Sequence, residues 1–416
     1  MTERRADLTF ARLALTVLAP FAAGYFMAYL FRSVNAVVAP DLVRDLGLTA
    51  TGLGFLTAAY FFGYGVWQLP LGVLLDRYGP RRVQAGMFLV SGLGGLLFAL
   101  GRDETTLAIA RGLIGLGFAG GLMSSFKAIV IWVPRERVPL ANGCIMACGG
   151  VGAFVASAPA DLLIQLIGWR WTIAILTAVT FAIAAAIFTI VPEKPGSTPP
   201  ITWRDQVRGL ARIYGDSFFW RVAPLATAHC GFHLAFQTLW AGPWARDVLG
   251  FERDSVAIRL ALLAIAFVAG SLLGGAIADV ARRRFGIGVL NVMKALVVVF
   301  MLSHLALLFE ATRSNMIVWL LFGAFGQVTI LVYPVISEHF GPALAGRANT
   351  GLNLMVFLTA FAFQSVFGAI LDLWPRMAAG GSDPAAYDRA LTIFLAIEAA
   401  TFLWFLVGTA KAKPAA

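Results

Sequence analysis

The feature that most constrains this chain is a succession of apolar segments, each about eighteen residues or longer, separated by short polar turns. A helix of that length crosses ~30 Å of hydrocarbon. Only helices and closed barrels satisfy their backbone groups there, and the short alternating segments of a barrel are not found in this sequence. Composition agrees: 59% hydrophobic and 13% charged residues leave too few charges to cover a soluble surface for 416 residues. The expected fold class is all-α, a polytopic membrane protein with twelve transmembrane helices.

The turns set the boundaries. Helix α1 is expected over about 13–38, stopped by Pro40-Asp41, and is read as a retained first span because its apolar run is too long for a signal-peptide core. Next come α2 (51–75), α3 (83–100), α4 (105–133), α5 (140–167) and α6, which runs to 191 after the turn Gly168-Trp169-Arg170-Trp171. The polar stretch 192–220 carries four prolines and has Arg204, Arg208 and Arg212 at helical spacing. It predicts a linker with a short amphipathic helix on the membrane surface. Then follow α7 (221–244), α8 (256–281), α9 (289–309), α10 (316–335), α11 (347–371) and α12 (387–409). Residues 1–191 are thus an N-terminal bundle, 192–220 a linker and 221–416 a C-terminal bundle.

The net charge of +10 does not imply nucleic acid, because its distribution follows the positive-inside rule. Nineteen Lys and Arg fall in the turns of one side, among them Arg77, Arg81, Arg82, Arg282, Arg283 and Lys411, and eight in those of the other. The expectation is a multi-pass protein of a bacterial inner membrane with both termini cytoplasmic. Cys144, Cys148 and Cys230 all lie in apolar segments, so no disulfide framework is implied. No cofactor is expected.

The second half echoes the first. Gly72…Asp76-Arg77…Arg81-Arg82 returns as Gly275…Asp279…Arg282-Arg283-Arg284; Asn142-Gly143 returns at Asn349…Gly351; Arg44-Asp45 returns as Arg246-Asp247. The offsets are 203, 207 and 202 residues, from Asp76/Asp279, Asn142/Asn349 and Arg44/Arg246. Two pseudo-symmetric six-helix bundles in parallel orientation are the pattern of a rocking transporter. Over essentially its whole length the chain resembles the major facilitator superfamily. The resemblance rests on the loop Gly72–Arg82, on Arg111 followed by Gly115, on Glu136-Arg137 with Asn142-Gly143, and on Gly168–Trp171. It implies that Asp76, Arg77, Arg81 and Arg82, with Asp279 and Arg282 in the weaker copy, form a conformational latch and not a substrate site.

Ionisable residues inside spans are functional candidates by default. Arg32 lies six residues before the expected end of α1, so about 9 Å below it at ~1.5 Å per residue, and offers a planar fork for a carboxylate or phosphate. Tyr29-x-x-Arg32 resembles the organic-anion branches of the family, the organophosphate/phosphate antiporters and the anion:cation symporters, where this arginine contacts the anion. Arg111 resembles the α4 arginine of the symporters. The duplication offset places Gln237, and no second arginine, opposite Arg32, so a monoanion with a polar body suits these residues better than a phosphate dianion. Tyr64, Trp240 and Tyr333 are the expected wall residues, and Pro243 an expected break in α7. His229 and His233, at i and i+4 on α7, are the candidates for proton coupling. Glu398 is set aside because α12 is peripheral in this fold. The expected partners are a small anionic substrate, a coupling proton and the bilayer, with the chain as a monomer.

Three other readings compete. Cys144, Cys148 and Met146, or His229 and His233, could serve a transition-metal or metal-chelate transporter. A drug or metabolite exporter of the same family is possible, though Gly149-Gly150-Val151-Gly152 and Pro159 do not form the Gly-Pro motif that the family's antiporters often carry. A membrane enzyme lacks a nucleophile elbow, an acid–histidine pair or a metal cluster in any loop, and leaves the duplication unexplained.

Overall fold

The structure is a computed structural model that describes residues 10–134, 137–192, 203–377 and 381–408. Among these residues, nine helices are long and apolar enough to cross a membrane, and the pair Leu140–Val155 and Ala158–Ile167, bent by 44°, makes a tenth. Two interrupted helices complete the twelve. Ala50–Val66 continues past Trp67 as far as Gly79, and Ser217–Ala235 continues through a π-turn, Phe236–Trp240, into Ala241–Asp247. The spans are α1 (10–46), α2 (50–78), α3 (80–100), α4 (Glu104–Trp132), α5 (138–167), α6 (Trp169–Ile190), α7 (217–247), α8 (Arg253–Phe285), α9 (Val289–Leu307), α10 (Met316–Phe340), α11 (Pro342–Leu371) and α12 (Pro384–Val407). They form the two six-helix bundles expected. The end that carries both Asp-Arg turns is called the basic face below.

Several boundaries differ from the sequence reading. Helix α1 runs past Pro40 and ends at Gly47, whose φ of 64° is a left-handed cap. It turns once at Val34, and proline within a membrane helix is tolerated where neighbours satisfy the freed backbone. Helix α2 extends through Asp76 and Tyr78 to Gly79, whose φ of 76° and ψ of 163° suit glycine; Pro80 then starts α3 without needing an amide donor. In the second copy, α8 stays helical through Arg284. The linker helix, Trp203–Tyr214, packs on protein: Gln206 reaches the Leu69 carbonyl of α2 at 3.5 Å, and the Tyr214 hydroxyl donates to the Gly351 carbonyl of α11 at 3.1 Å. It therefore straps the two bundles together at the basic face. Arg4, Arg5, Arg135, Glu136, Lys194, Lys411 and Lys413 lie outside the described residues.

At three of the breaks within spans a buried polar side chain reaches a main-chain carbonyl. At the Val34 turn of α1, Arg111 Nη1 donates to the Phe31 carbonyl at 2.8 Å. At Ala119-Gly120 of α4, Gln68 Nε2 donates to the Ala119 carbonyl at 3.2 Å. At Gly326-Gln327 of α10, His229 Nε2 lies 3.0 Å from the Phe325 carbonyl. Hydrocarbon offers no other partner to such groups, so each of these residues has a structural task.

The bundles are held by glycine-mediated crossings that repeat at the duplication offset. A β-carbon on Gly115 of α4 would lie 2.0 Å from the Tyr60 carbonyl of α2, and one on Gly63 would lie 2.1 Å from the Gly112 carbonyl. In the second half, Gly270 of α8 meets the Ala324 carbonyl at 1.9 Å, and Gly323 of α10 meets the Leu263 carbonyl at 2.9 Å. Small residues let helix backbones touch where the hydrophobic effect gives no drive. Gly115→Ala should therefore lower the melting temperature of the detergent-solubilised protein, since overpacking costs about 1–3 kcal/mol. Gly86→Ala, with no atom within 4 Å of the added carbon, should leave it unchanged or raise it. Equal melting temperatures for the two variants would contradict this account of the crossing.

Candidate functional site

Arg32 sits two residues before the α1 turn, 5% exposed, inside a ring of aromatic side chains. Its guanidinium carbon lies 4.4 Å from the ring centre of Tyr29, 5.1 Å from Tyr64 and 5.4 Å from Phe357. The phenols of Tyr60 and Tyr64 also interact with it. Tyr60 itself is anchored by donating to the Ala28 carbonyl at 3.2 Å, and Tyr25 packs edge-on against Tyr29 at 5.0 Å. Phe357 belongs to α11 of the other bundle and lies 4.1 Å from Tyr64, so the ring closes across the seam between bundles. Arg32 Nε has no hydrogen-bond partner, and among the described residues no carboxylate is paired with this arginine. Aromatic faces and phenols tolerate a buried cation but do not neutralise it. The chemistry left over is that of an anion receptor.

The other predicted residues separate into groups. Arg111 is 2% exposed and is the α1 carbonyl clamp described above, 4.9 Å from the Tyr60 ring, so it supports the back of the Arg32 ring. Tyr64 is in the ring. Tyr333 is half-buried and donates to Asn353 Oδ1 at 3.1 Å, within electrostatic reach of Tyr64. Gln237 lies in the α7 π-turn and shares a narrow crevice with Ser33 and Ser157, one residue along from Arg32. Trp240 is fully buried, donates to the Gln364 carbonyl at 3.1 Å and stacks on Phe367 at 5.0 Å. It is a wedge between bundles on the far side of the ring. Pro243 sits in an unbroken helical turn beyond the π-turn. Cys144 is exposed and Cys148 half-buried on α5.

His229 and His233 face the interior of the C-terminal bundle. His233 presses against Gly326, where a β-carbon would lie 1.7 Å from the imidazole, and neither of its ring nitrogens has a partner. Sequence reasoning missed what lies beyond them: His304 of α9 and Glu398 of α12, both fully buried and 3.0 Å apart. Glu398 was discounted because α12 is peripheral. The helix is peripheral, but this residue points inward. Its helical phase gives the signal, since Phe394 and Phe405 share the buried face. Phe357 was missed because nothing in its local sequence marks it as the arginine's cross-bundle neighbour.

The face opposite the basic face carries cross-bundle bonds beside an open cavity of about 620 Å³ lined by Arg44 and Leu48 of one bundle and Arg246 and Arg376 of the other. Asp372 of α11 accepts from the Ala50 and Thr51 amides at 3.1 and 2.7 Å, capping α2 from the other bundle. Burial pushes its carboxyl up, but the bonds from Thr51 and Ala50 outweigh this and hold it below the ordinary aspartate range. Its contribution is therefore present at neutral pH and fades only on strong acidification. Arg253 of α8 bridges Asp41 of α1 at 2.9 Å and Asp161 of α5 at 2.8 Å, and Arg376 donates to the Leu48 carbonyl at 3.0 Å. At the basic face, Asp76 pairs with Lys127 of α4, within its own bundle, and Asp279 pairs with Arg283 at 3.0 Å and Arg282 at 3.8 Å. Arg77 packs on Tyr78, and Arg81 donates to the Phe188 carbonyl of α6 at 2.8 Å. Arg82 is exposed at the start of α3.

Comparison with known proteins fits this architecture. The family model of the Major Facilitator Superfamily matches residues 21–364. The chain is 24% identical over 277 residues to a probable sulfoacetate transporter of Cupriavidus necator, covering 63% of this chain and 64% of that one, just under two thirds of the relative's length. It is 24% identical over 374 residues to the hexuronate transporter of Escherichia coli strain K12, covering 84% of this chain and 85% of that one. Among solved structures, a bacterial homologue of the human lysosomal transporter Spinster, in an inward-facing and occupied conformation, matches with a TM-score of 0.74 at 17% identity, covering 94% of this chain and 96% of that chain. The chain belongs to the Major Facilitator Superfamily and is a multi-pass membrane transporter, not an enzyme.

Proposed function

We propose that this transporter moves a small organic anion, a carboxylate or a phosphate ester, across a bacterial inner membrane by alternating access, with Arg32 as the anion's anchor. The observation that carries the reading is the buried Arg32 guanidinium, held by aromatic rings and phenols with no carboxylate to balance it. The phenols of Tyr60 and Tyr64 offer hydrogen bonds to the polar body of such a substrate, and Gln237 supplies a neutral amide from the other bundle. The sulfoacetate and hexuronate transporters named above handle anions of this class, which supports the same choice.

Asp76, Lys127, Arg77, Arg81 and Arg82, with Asp279 and Arg282, act as the latch of the basic face. At the opposite face the cross-bundle bonds of Asp372, Arg253 and Arg376 support a matching gate. The linker helix keeps the bundles registered as they rock. Both termini face the cytoplasm on this reading.

Uptake of labelled glucuronate (a hexuronate) and sulfoacetate into proteoliposomes tests the anchor. Wild type should accumulate at least one of them. Arg32→Gln should weaken its half-saturation concentration tenfold or more, about 1.4 kcal/mol, with partial recovery in Arg32→Lys. An unchanged half-saturation concentration in Arg32→Gln removes this residue from the site.

The latch makes a different expectation. Asp76→Asn should leave equilibrium binding of the same substrate within about twofold while turnover falls at least tenfold, because the change touches interconversion and not the ring. Normal turnover in this variant would exclude a latch role. Orientation is checked by fusing a phosphatase and a fluorescent reporter in turn to the C-terminus: fluorescence without phosphatase activity is expected, and the reverse would invert the topology.

A further inference from the structure

We propose that the cavity at the face opposite the basic face is a second anion-binding site, where Arg44, Arg246 and Arg376 hold the carboxylate or sulfonate of a substrate at the mouth of its path to Arg32. The inference rests on the anion-transport reading for the class of ligand and adds a separate place for it. The cavity measures about 620 Å³ and takes its walls from both bundles. Arg44 stands twelve residues beyond Arg32 on α1, about 18 Å at ~1.5 Å per residue. One small anion cannot span that distance, so the two positions are separate sites.

The repeated pairs Arg44-Asp45 and Arg246-Asp247 meet at this cavity, one from each bundle. In both copies the arginine Nε donates to the aspartate that follows it, at 3.2 Å for Arg44 and 2.6 Å for Arg246. The copies then part. Three residues before Arg44 stands Asp41, which pairs with Arg44 Nη2 at 2.7 Å. Three residues before Arg246 stands Pro243, whose ring offers no acceptor. The terminal nitrogens of Arg246 therefore have no hydrogen-bond partner among the described residues. Arg376 donates to the Leu48 carbonyl at 3.0 Å and pairs with no carboxylate among the described residues. A guanidinium has five N–H groups, so all three arginines keep donors in hand.

The acids nearby are already engaged. Asp247 also lines the cavity, and besides Arg246 it accepts from the Ser382 amide at 3.0 Å and the Tyr387 hydroxyl at 2.8 Å. Asp41 is shared by Arg44 and Arg253, Asp45 also accepts from Trp169 at 2.9 Å, Asp161 takes Arg253 and Gln165, and Asp372 takes the α2 amides. Glu252 is exposed and borders a neighbouring crevice that Arg246 also lines. Across this whole face acids and arginines offset each other, so the site works at short range, through charge-assisted hydrogen bonds from the wall to an anion. Trp240 is part of the inner wall and donates to the Gln364 carbonyl. Gln364 is fully buried with neither side-chain amide atom bonded, seven residues beyond Phe357 and eight before Asp372 on α11. It sets a polar level between the mouth and the Arg32 ring.

Equilibrium binding of labelled glucuronate and sulfoacetate to the purified transporter decides it. Wild type should bind a probe at two classes of site. Arg32→Gln should keep one class, and adding Arg246→Gln should weaken that class about tenfold. In the Arg32→Gln background, Met377→Glu places a carboxylate in the cavity wall and should weaken the remaining class, whereas Met377→Lys should strengthen it. Arg32→Gln with no residual binding overturns the second site and leaves the anchor reading intact. Residual binding that none of the Arg246 and Met377 changes moves overturns it too. A single class of site that survives Arg32→Gln and is lost in Arg246→Gln removes the anchor reading and keeps this one. Wild type that binds neither probe removes both. Should Arg246→Gln fail to fold, the opposite effects of the two Met377 variants still decide, and equal affinity in both ends the proposal.

Discussion

The structure depends on one constraint above all: a backbone carbonyl released inside hydrocarbon must find a donor within the protein. A rocking carrier needs spans that bend in mid-membrane, and each bend frees such a group. Here the donors are Arg111 for the α1 turn, Gln68 for the α4 break and His229 for the α10 break. Each is contributed by a different helix from the one it serves. The bends are therefore tied to their neighbours, and the glycine crossings at Gly63/Gly115 and Gly270/Gly323 keep those neighbours in backbone contact. Each bundle can then move as a unit while its spans stay irregular.

The same constraint sorts the buried polar residues. A side chain bonded to a freed carbonyl has a sufficient structural reason to be there. Tyr60, donating to the Ala28 carbonyl, is a further case, and Asn35 is satisfied by the Thr57 hydroxyl at 2.6 Å. Arg111 joins this class, although its position in the sequence resembles a ligand-binding arginine of the symporters. Other buried groups have no such reason: Arg32 caps no carbonyl and has no acid partner, and His233, the Gln364 amide and the outer atoms of the His304–Glu398 pair are left without hydrogen-bond partners. Residues of unknown role stand out only after those with a packing role have been accounted for.

Much of this was legible in the sequence because it follows from length and repetition. Apolar runs longer than a bilayer is thick, a charge bias between alternate turns and motif pairs at offsets of 202–207 residues specify twelve spans in two bundles without reference to contacts. Arg32 was legible for the same reason: a charge deep in a span is conspicuous. Pro40 was misread as a stop because a proline's cost depends on who satisfies the freed carbonyl, and that partner is distant in the chain. Phe357 and the pairing of His304 with Glu398 were out of reach because they join residues 325 and 94 positions apart. The inward aim of Glu398 was within reach, since the helical phase of Phe394 and Phe405 already places that face in the core.

The duplication is faithful in its scaffold and broken in its chemistry. Glycine crossings and Asp-Arg turns recur in both halves, yet the position matching Arg32 is occupied by Gln237, in a π-turn where α1 instead has its Val34 turn nearby. A strictly symmetric pair of arginines would place two positive charges at one seam and would bind strongly to dianions. Replacing one by an amide leaves the buried guanidiniums, Arg32 and Arg111, on the N-terminal side, while the interior of the C-terminal bundle holds imidazoles and phenylalanines around Phe300. The two bundles thus differ in their polar interiors, with guanidiniums in one and imidazoles in the other. Duplication fixes the scaffold that both halves share and leaves the buried polar residues free to differ between them.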